Sequence, residues 1–164
     1  MPEMLKGKKG IILGVANERS IAWGIAKVLS EQGAELAFTY QTDGFGKRVL
    51  PLAESVNAKI VVPVDVQNES SINDLYNEVQ KNWSKMDFFV HAIAYSDKEE
   101  LTGRFINTSK RNFLNSLDIS CYSLIELSRI FSPLMVEGGT ILTLSYMGSQ
   151  RVTPNYNVMG VAKA

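Results

Sequence analysis

Five short, continuously apolar runs recur along this chain at intervals of about 25 residues, and most are followed by apolar residues at helical spacing. The first run, Gly10-Ile11-Ile12-Leu13-Gly14, leads into Ile21, Ile25, Val28 and Leu29, which predict a helix up to Gly33. Leu36–Tyr40 reads as a second strand, Lys47–Ser55 as a helix, and the β-branched run Lys59–Val64 as a third strand. Ile72, Leu75, Tyr76 and Val79 mark a helix ahead of the strand Asp87–His91. Thr140–Ser145 makes a fifth strand after a long helical stretch starting near Thr108, in which Phe113, Leu117, Leu124, Leu127 and Ile130 form one apolar stripe from about Asn112 to Val136. Continuous rather than alternating apolar runs suit strands covered on both faces, so a parallel sheet with right-handed crossovers is expected. The fold class is therefore α/β, a doubly wound, Rossmann-like parallel sheet. The segments share no residue pattern, so the rhythm is supersecondary and implies no repeat array.

The 164 residues, 45% hydrophobic and 21% charged, describe one globular domain spanning 1–164 with no low-complexity tract or linker. Seventeen basic against seventeen acidic residues give zero formal charge, which supplies no field for a phosphate backbone, and nucleic acid is not expected as a partner. No apolar run approaches a membrane span, and Met1-Pro2-Glu3-Met4-Leu5-Lys6 lacks the apolar stretch of a secretory signal, so a cytoplasmic protein with no membrane partner is expected. Cys121 is the only cysteine; it has no second ligand at metal spacing and reads as a small buried side chain, and no metal site is expected. The chain ends at Ala164, barely two turns into a helical segment beginning near Asn155. That ending predicts the N-terminal part of a longer chain, truncated after the fifth strand and the start of the next helix.

The first strand delivers Gly14 into a turn with small residues at Ala16, Ser20, Ala22 and Gly24, where Ile21 opens the helix. A dinucleotide pyrophosphate needs close backbone approach and a helix N-terminus with free N–H groups, both of which such a turn permits. Tight strand-to-helix turns also carry Gly for conformational reasons alone. The spacing is neither G-x-G-x-x-G nor Walker A. After the second strand stand Tyr40-Gln41-Thr42; Gln41 can hydrogen-bond a ribose hydroxyl, and with no Arg or Lys nearer than Lys47 the pattern favours NADH over NADPH. Asp65 follows the third strand and could accept from an adenine amino group, or be an ordinary solvated loop acid. His91, the only histidine, lies in an apolar strand end and reads as a satisfied structural residue. The irregular stretch Tyr95–Asn107 is expected to be an exposed loop over the sheet edge, where ligands of such sheets bind.

Tyr156 and Lys163 are seven residues apart, about 700° of rotation and about 10.5 Å of rise in a helix, so both are expected on one face. Pro154 suits a first helical turn that presents Tyr156 at the helix start. A phenol beside an ammonium has its ionised form favoured, and such a Tyr can donate to a developing enolate. Two long side chains also share a helix face with no chemistry attached.

Taken together, Gly14-Val15-Ala16 with Ser20-Ile21-Ala22-Trp23-Gly24, His91-Ala92-Ile93-Ala94, Ser145-Tyr146 and Pro154–Ala164 resemble the NADH-dependent enoyl-[acyl-carrier-protein] reductases of bacterial type II fatty-acid synthesis, a divergent branch of the short-chain dehydrogenase/reductases. The resemblance runs from about Lys6 to Ala164, and the Tyr-x6-Lys step after Ser-Tyr is its specific element. It implies that Tyr156 bonds the thioester carbonyl, that Lys163 holds the nicotinamide ribose, and that Tyr146 borders the acyl pocket. Gly14, Ser20, Ile21, Gln41, Asp65, Val66, Ala94, Ile119 and Ser145 are implied to line NADH. It further implies acyl carrier protein bearing an enoyl chain as partner and, in the full-length form, a homotetramer in which the long helix and the one near Asn155 pair across the interface. Ala94 stands where many relatives carry Gly, and the family continues past the Lys, which predicts that residues 1–164 alone are inactive and poorly soluble. Two other readings compete: an ordinary short-chain dehydrogenase, which should carry Ser and Lys where this chain has Thr143 and Gly160, and a nucleotide-binding module without catalysis.

Overall fold

The computed structural model describes residues 3–164. The reading of the N-terminus includes Met1 and Pro2, which lie outside the described residues. Five strands, β1 (Lys9–Leu13), β2 (Glu35–Tyr40), β3 (Ile60–Pro63), β4 (Phe88–His91) and β5 (Thr140–Thr143), form one parallel sheet in the order β3-β2-β1-β4-β5. The helices are α1 (Ile21–Glu31), α2 (Asp43–Ser55), α3 (Glu69–Asn82), α4 (Lys110–Leu117), α5 (Ser123–Phe131) and α6 (Asn157–Lys163).

Strand period places successive side chains on opposite faces, so Ile11 and Leu13 belong to one core layer and Ile12 to the other. The first layer packs Phe89 and Ile60 against Ile72, Leu75 and Val79 of α3 and Leu127 and Phe131 of α5. The second packs Phe38 and Val90 against Ala22, Trp23 and Ala26 of α1 and Val49 of α2. β1 to β4 are thus covered on both faces, as their continuous apolar runs require. At the start of β4 the Asp87 carboxylate accepts from Lys8 Nζ at 2.7 Å and Lys9 N at 2.9 Å, stapling β4 to the entry of β1. Partial burial works to raise that carboxyl, but these donors outweigh it and hold it below its usual value.

Three local readings need correction. α2 begins at Asp43 rather than Lys47; Gly44 and Gly46 blank the apolar spacing there, and Gly46 is required because a Cβ would lie 2.9 Å from the Tyr40 ring. The long helix expected from Asn112 to Val136 is interrupted: a π-type turn at Asp118–Tyr122 separates α4 from α5, and a 3-10 turn at Ser132–Leu134, opened by Pro133, ends it. The widened turn takes Ile119 and Ser120 inward, leaving Cys121 half-buried rather than buried. β5 is the third: all four of its residues are exposed, so the strand lacks the two-sided cover expected of it among the described residues.

The turn after β1 sets the geometry of the sheet's carboxyl end. Gly14 has φ +98°, and a Cβ there would sit 2.0 Å from the Ala92 carbonyl oxygen, a backbone atom with little room to yield. Gly14→Ala should therefore cost about 2 kcal/mol or more in urea unfolding. An unchanged midpoint would show that the β1–β4 approach is not constrained there.

Candidate active site

The strand order reverses between β1 and β4, and the loops leaving their carboxyl ends diverge to opposite faces, which opens a crevice. A cleft of about 550 Å³ occupies that place, walled by Gly14, Val15 and Ala16 after β1, Tyr40 and Gln41 after β2, Val64, Val66 and Gln67 after β3, and Ala92 to Tyr95 after β4. Phe45, Asn115 and Ile119 complete the wall. Gly14, Gln41, Val66, Ala94 and Ile119, singled out from the sequence, all line it.

Ser20 and Ile21 stand at its β1 side. Ser20 is the N-cap of α1, with its hydroxyl donating to Asn17 O at 2.6 Å rather than capping the helix. The N–H groups of Ile21 and Ala22 find no acceptor among the described residues, so the first turn of α1 keeps free donors. Asp65 is less free than its neighbours: Oδ1 accepts from Gln67 N at 3.0 Å, while its main chain is bound on both sides by the Ser71 hydroxyl. Its carboxylate serves a local turn first.

Lys163 joins α6 to the sheet. Its Nζ donates to Ile93 O at 3.3 Å and Leu144 O at 3.0 Å, the main-chain carbonyls just beyond β4 and β5. Burial pulls the Lys163 pKa below its ordinary value, with Cys121 acting the other way. An ammonium carries three donors and two are used here, so one remains to serve a ligand beside Ile93. The Ser145 hydroxyl donates to the Lys163 carbonyl at 3.0 Å and fixes the last turn of α6.

Tyr156 stands at the start of the helix, as expected. It is the N-cap residue of α6, and Pro154 falls in the turn before it. Asn155 and Asn157 take φ of +58° and +26°, the left-handed region that Asn tolerates better than most residues, so the backbone kinks on both sides of Tyr156. The ring packs edge-on against Tyr146 with centroids 4.8 Å apart, and both rings crowd Gly148, where a Cβ would meet Tyr156 at 2.4 Å. The expectation of a favoured phenolate is overturned. Burial, then the neighbouring Tyr146, push the Tyr156 phenol above its ordinary value. Tyr156 is a protonated donor at neutral pH.

His91 is fully buried at the end of β4, as a structural histidine should be. Ser123 Oγ gives its hydrogen to Ile119 O at 2.7 Å and so accepts from His91 Nε2 at 2.8 Å; Thr143 Oγ1 lies 3.2 Å from both Nδ1 and the His91 carbonyl, with one hydrogen to divide between them. Burial, and then the Lys163 charge, lower its pKa from 6.5 to about 4. A neutral ring therefore ties β4 to β5 and α5.

Sequence reasoning missed several wall residues. Phe45 precedes the helix that was expected to begin later, and its ring carries Arg48 at 5.0 Å from the centroid. Gln67 Nε2 bridges Asn115 Oδ1 at 2.9 Å and Asp118 Oδ2 at 2.8 Å across the cleft mouth. A polar residue in a helical stretch, such as Asn115, gives no sign in sequence of which loop it will meet.

Comparison with known proteins agrees with this arrangement. The family model for enoyl-(acyl carrier protein) reductase matches residues 14–164. The enoyl-[acyl-carrier-protein] reductase [NADH] of Rickettsia typhi is 52% identical over 161 residues, covering 98% of this chain and 62% of the relative. A FabI structure from Candidatus Liberibacter asiaticus superposes with a TM-score of 0.97 at 50% identity, over 99% of this chain and 63% of that one. The enoyl-(acyl-carrier-protein) reductase of Anaplasma phagocytophilum, solved in complex with NAD, gives 0.96 at 52% identity, over 99% and 62%. The chain thus spans less than two thirds of the length of these relatives.

The His91 ring makes stability depend on pH. Its folded pKa lies below the unfolded value, so between pH 6.5 and about 4 the unfolded chain holds more protons, and stability falls as pH drops through that window. The loss should reach about 3 kcal/mol in urea unfolding. His91→Gln should flatten the slope; the same slope in the variant would assign it to other groups. With Gly14 shaping the cleft and Lys163 anchored at its edge, and with a family model covering all but the first strand, the chain belongs to the enoyl-(acyl carrier protein) reductase family.

Proposed function

We propose that the protein reduces the trans-2 double bond of an enoyl thioester carried on acyl carrier protein, in fatty-acid elongation, with NADH as cofactor. The observation that supports this reading is the Lys163 ammonium anchored on the Ile93 and Leu144 carbonyls at the crevice edge, with Tyr156 at the start of the same helix.

The residues present fit a dinucleotide. The free N–H groups of Ile21 and Ala22 suit a pyrophosphate, Gly14 and Ala16 permit its approach, and Gln41 in the cleft wall offers hydrogen bonds to a ribose hydroxyl. Val66 and Ile119 supply apolar wall, and Asp65 stands beside them after β3. Ala94 and Ser145 stand near the two carbonyls that anchor Lys163, and the remaining Lys163 donor is assigned to the nicotinamide ribose. When bound, NADH supplies the hydride for the β-carbon of the enoyl chain.

The chain's own residues then act on the thioester. As the β-carbon gains the hydride, the π electrons move onto the carbonyl oxygen, and Tyr156, a neutral phenol, donates a hydrogen bond to that oxygen. Protonation of the α-carbon completes the saturated product. Tyr146, half-exposed against Tyr156, borders the place for the acyl chain. The exposed apolar side chains Leu114, Tyr122, Ile125 and Val161 on α4 to α6 support a homotetramer paired through these helices. No helix among the described residues is long and apolar enough to cross a membrane, and the reading is of a cytoplasmic bacterial enzyme.

The test follows NADH absorbance on adding a 2-enoyl thioester to the protein at its native length. Tyr156→Phe should lower kcat about a hundredfold while the KM for NADH stays within about twofold. Undiminished turnover in the variant would remove Tyr156 from this role.

A further inference from the structure

Asn157 follows Tyr156 and spends its side chain on another part of the molecule. Its Nδ2 donates to Glu100 O at 2.9 Å and Thr102 O at 3.2 Å, and lies 3.5 Å from Gly103 O. These carbonyls belong to the loop that leaves β4 after Tyr95. Gly103, at φ +78°, curls the chain so that they converge on one amide. The expected exposed loop is therefore fastened to the start of α6 from more than fifty residues away in sequence.

The loop end of this fastening is itself held. Glu100 uses its carboxylate to accept from Ser109 N at 2.9 Å, Ser109 Oγ at 2.7 Å and Asn112 Nδ2 at 3.1 Å, at the N-terminus of α4. Asn112 is fully buried, and its Oδ1 accepts from Asp97 N at 2.9 Å and the Ser116 hydroxyl at 3.2 Å. A buried amide with both ends bonded makes a stiff bracket, because breaking one bond strands a desolvated group. Glu100 thus faces α4 with its side chain and α6 with its carbonyl.

We propose that Asn157 is a positioning residue for Tyr156, locking the phenol's backbone to the Glu100 bracket so that the β4 loop and the donor move together. The inference rests on the proposed reductase reading for its kinetic consequence. Asn157 sits at φ +26°, an unfavourable place for most L residues, which its three nearby carbonyls offset. Without the amide's donors, Tyr156 would keep its ring contacts with Tyr146 and the Gly148 turn and its carbonyl bond from Met159 N at 2.9 Å, all on its own side of the loop.

Asn157→Asp keeps the size and tolerance of positive φ but cannot donate as a carboxylate; Asn157→Gly relieves the backbone and also lacks the donor. Both are compared with the native-length parent, and Glu100→Gln, at a partly exposed site, serves as a milder third variant should either fail to fold. Amide hydrogen exchange should rise at residues 98–103 and 155–158 together, with α3 unchanged. In the 2-enoyl thioester assay kcat should fall about tenfold or more while the KM for NADH stays within about twofold. A parent with no enoyl thioester turnover would contradict the reductase reading, and the clamp would then stand or fall by exchange. Exchange at either segment equal to the parent's, or a Gly variant with full kcat, would overturn the clamp.

Discussion

The ammonium of Lys163, lodged between the carbonyls of Ile93 and Leu144, is the contact on which the site depends. A parallel sheet presents main-chain carbonyls at its carboxyl ends, and β4 and β5 stop adjacent to each other there. A cation half-buried among those oxygens costs desolvation, which lowers its pKa, but gains charge-assisted hydrogen bonds that orient it. The same charge bears on His91 next to it, which stays neutral and joins β4, β5 and α5 through Ser123 and Thr143. The sheet edge, the histidine and the lysine form one electrostatic unit.

Tyr156 stands in a different environment. Burial, and then the neighbouring Tyr146, hold its pKa above the ordinary value, so the phenol keeps its proton. A hydrogen-bond donor to a thioester oxygen must be protonated before the charge develops, so this arrangement suits the donor role better than the phenolate that spacing alone suggested.

Much of this was legible in residue order. Continuous apolar runs predicted a parallel sheet, and the helix and strand alternation predicted its connections, because two-sided burial leaves that mark directly on composition. Gly14, Gln41, Val66 and Ala94 fell where strand ends should lie, Ile119 was implied by the family resemblance, and all five line the cleft. The break at Asp118–Tyr122 was invisible because an inserted helical residue leaves the apolar stripe nearly intact while rotating everything after it. The start of α2 was hidden by glycines whose reason is the Tyr40 ring. Tyr156 at the helix start was legible, but the kink that the paired Asn residues impose around it was not. The Glu100, Asn112 and Asn157 network had no sequence signal, since polar partners so far apart share no period.

Binding of NADH to the native-length protein and to Lys163→Met, followed by the change in nicotinamide fluorescence, measures what the anchored ammonium contributes. The variant should stay folded but bind at least about tenfold more weakly, because the donor assigned to the ribose and its carbonyl anchor are lost together. Equal affinity in the two proteins would contradict this assignment.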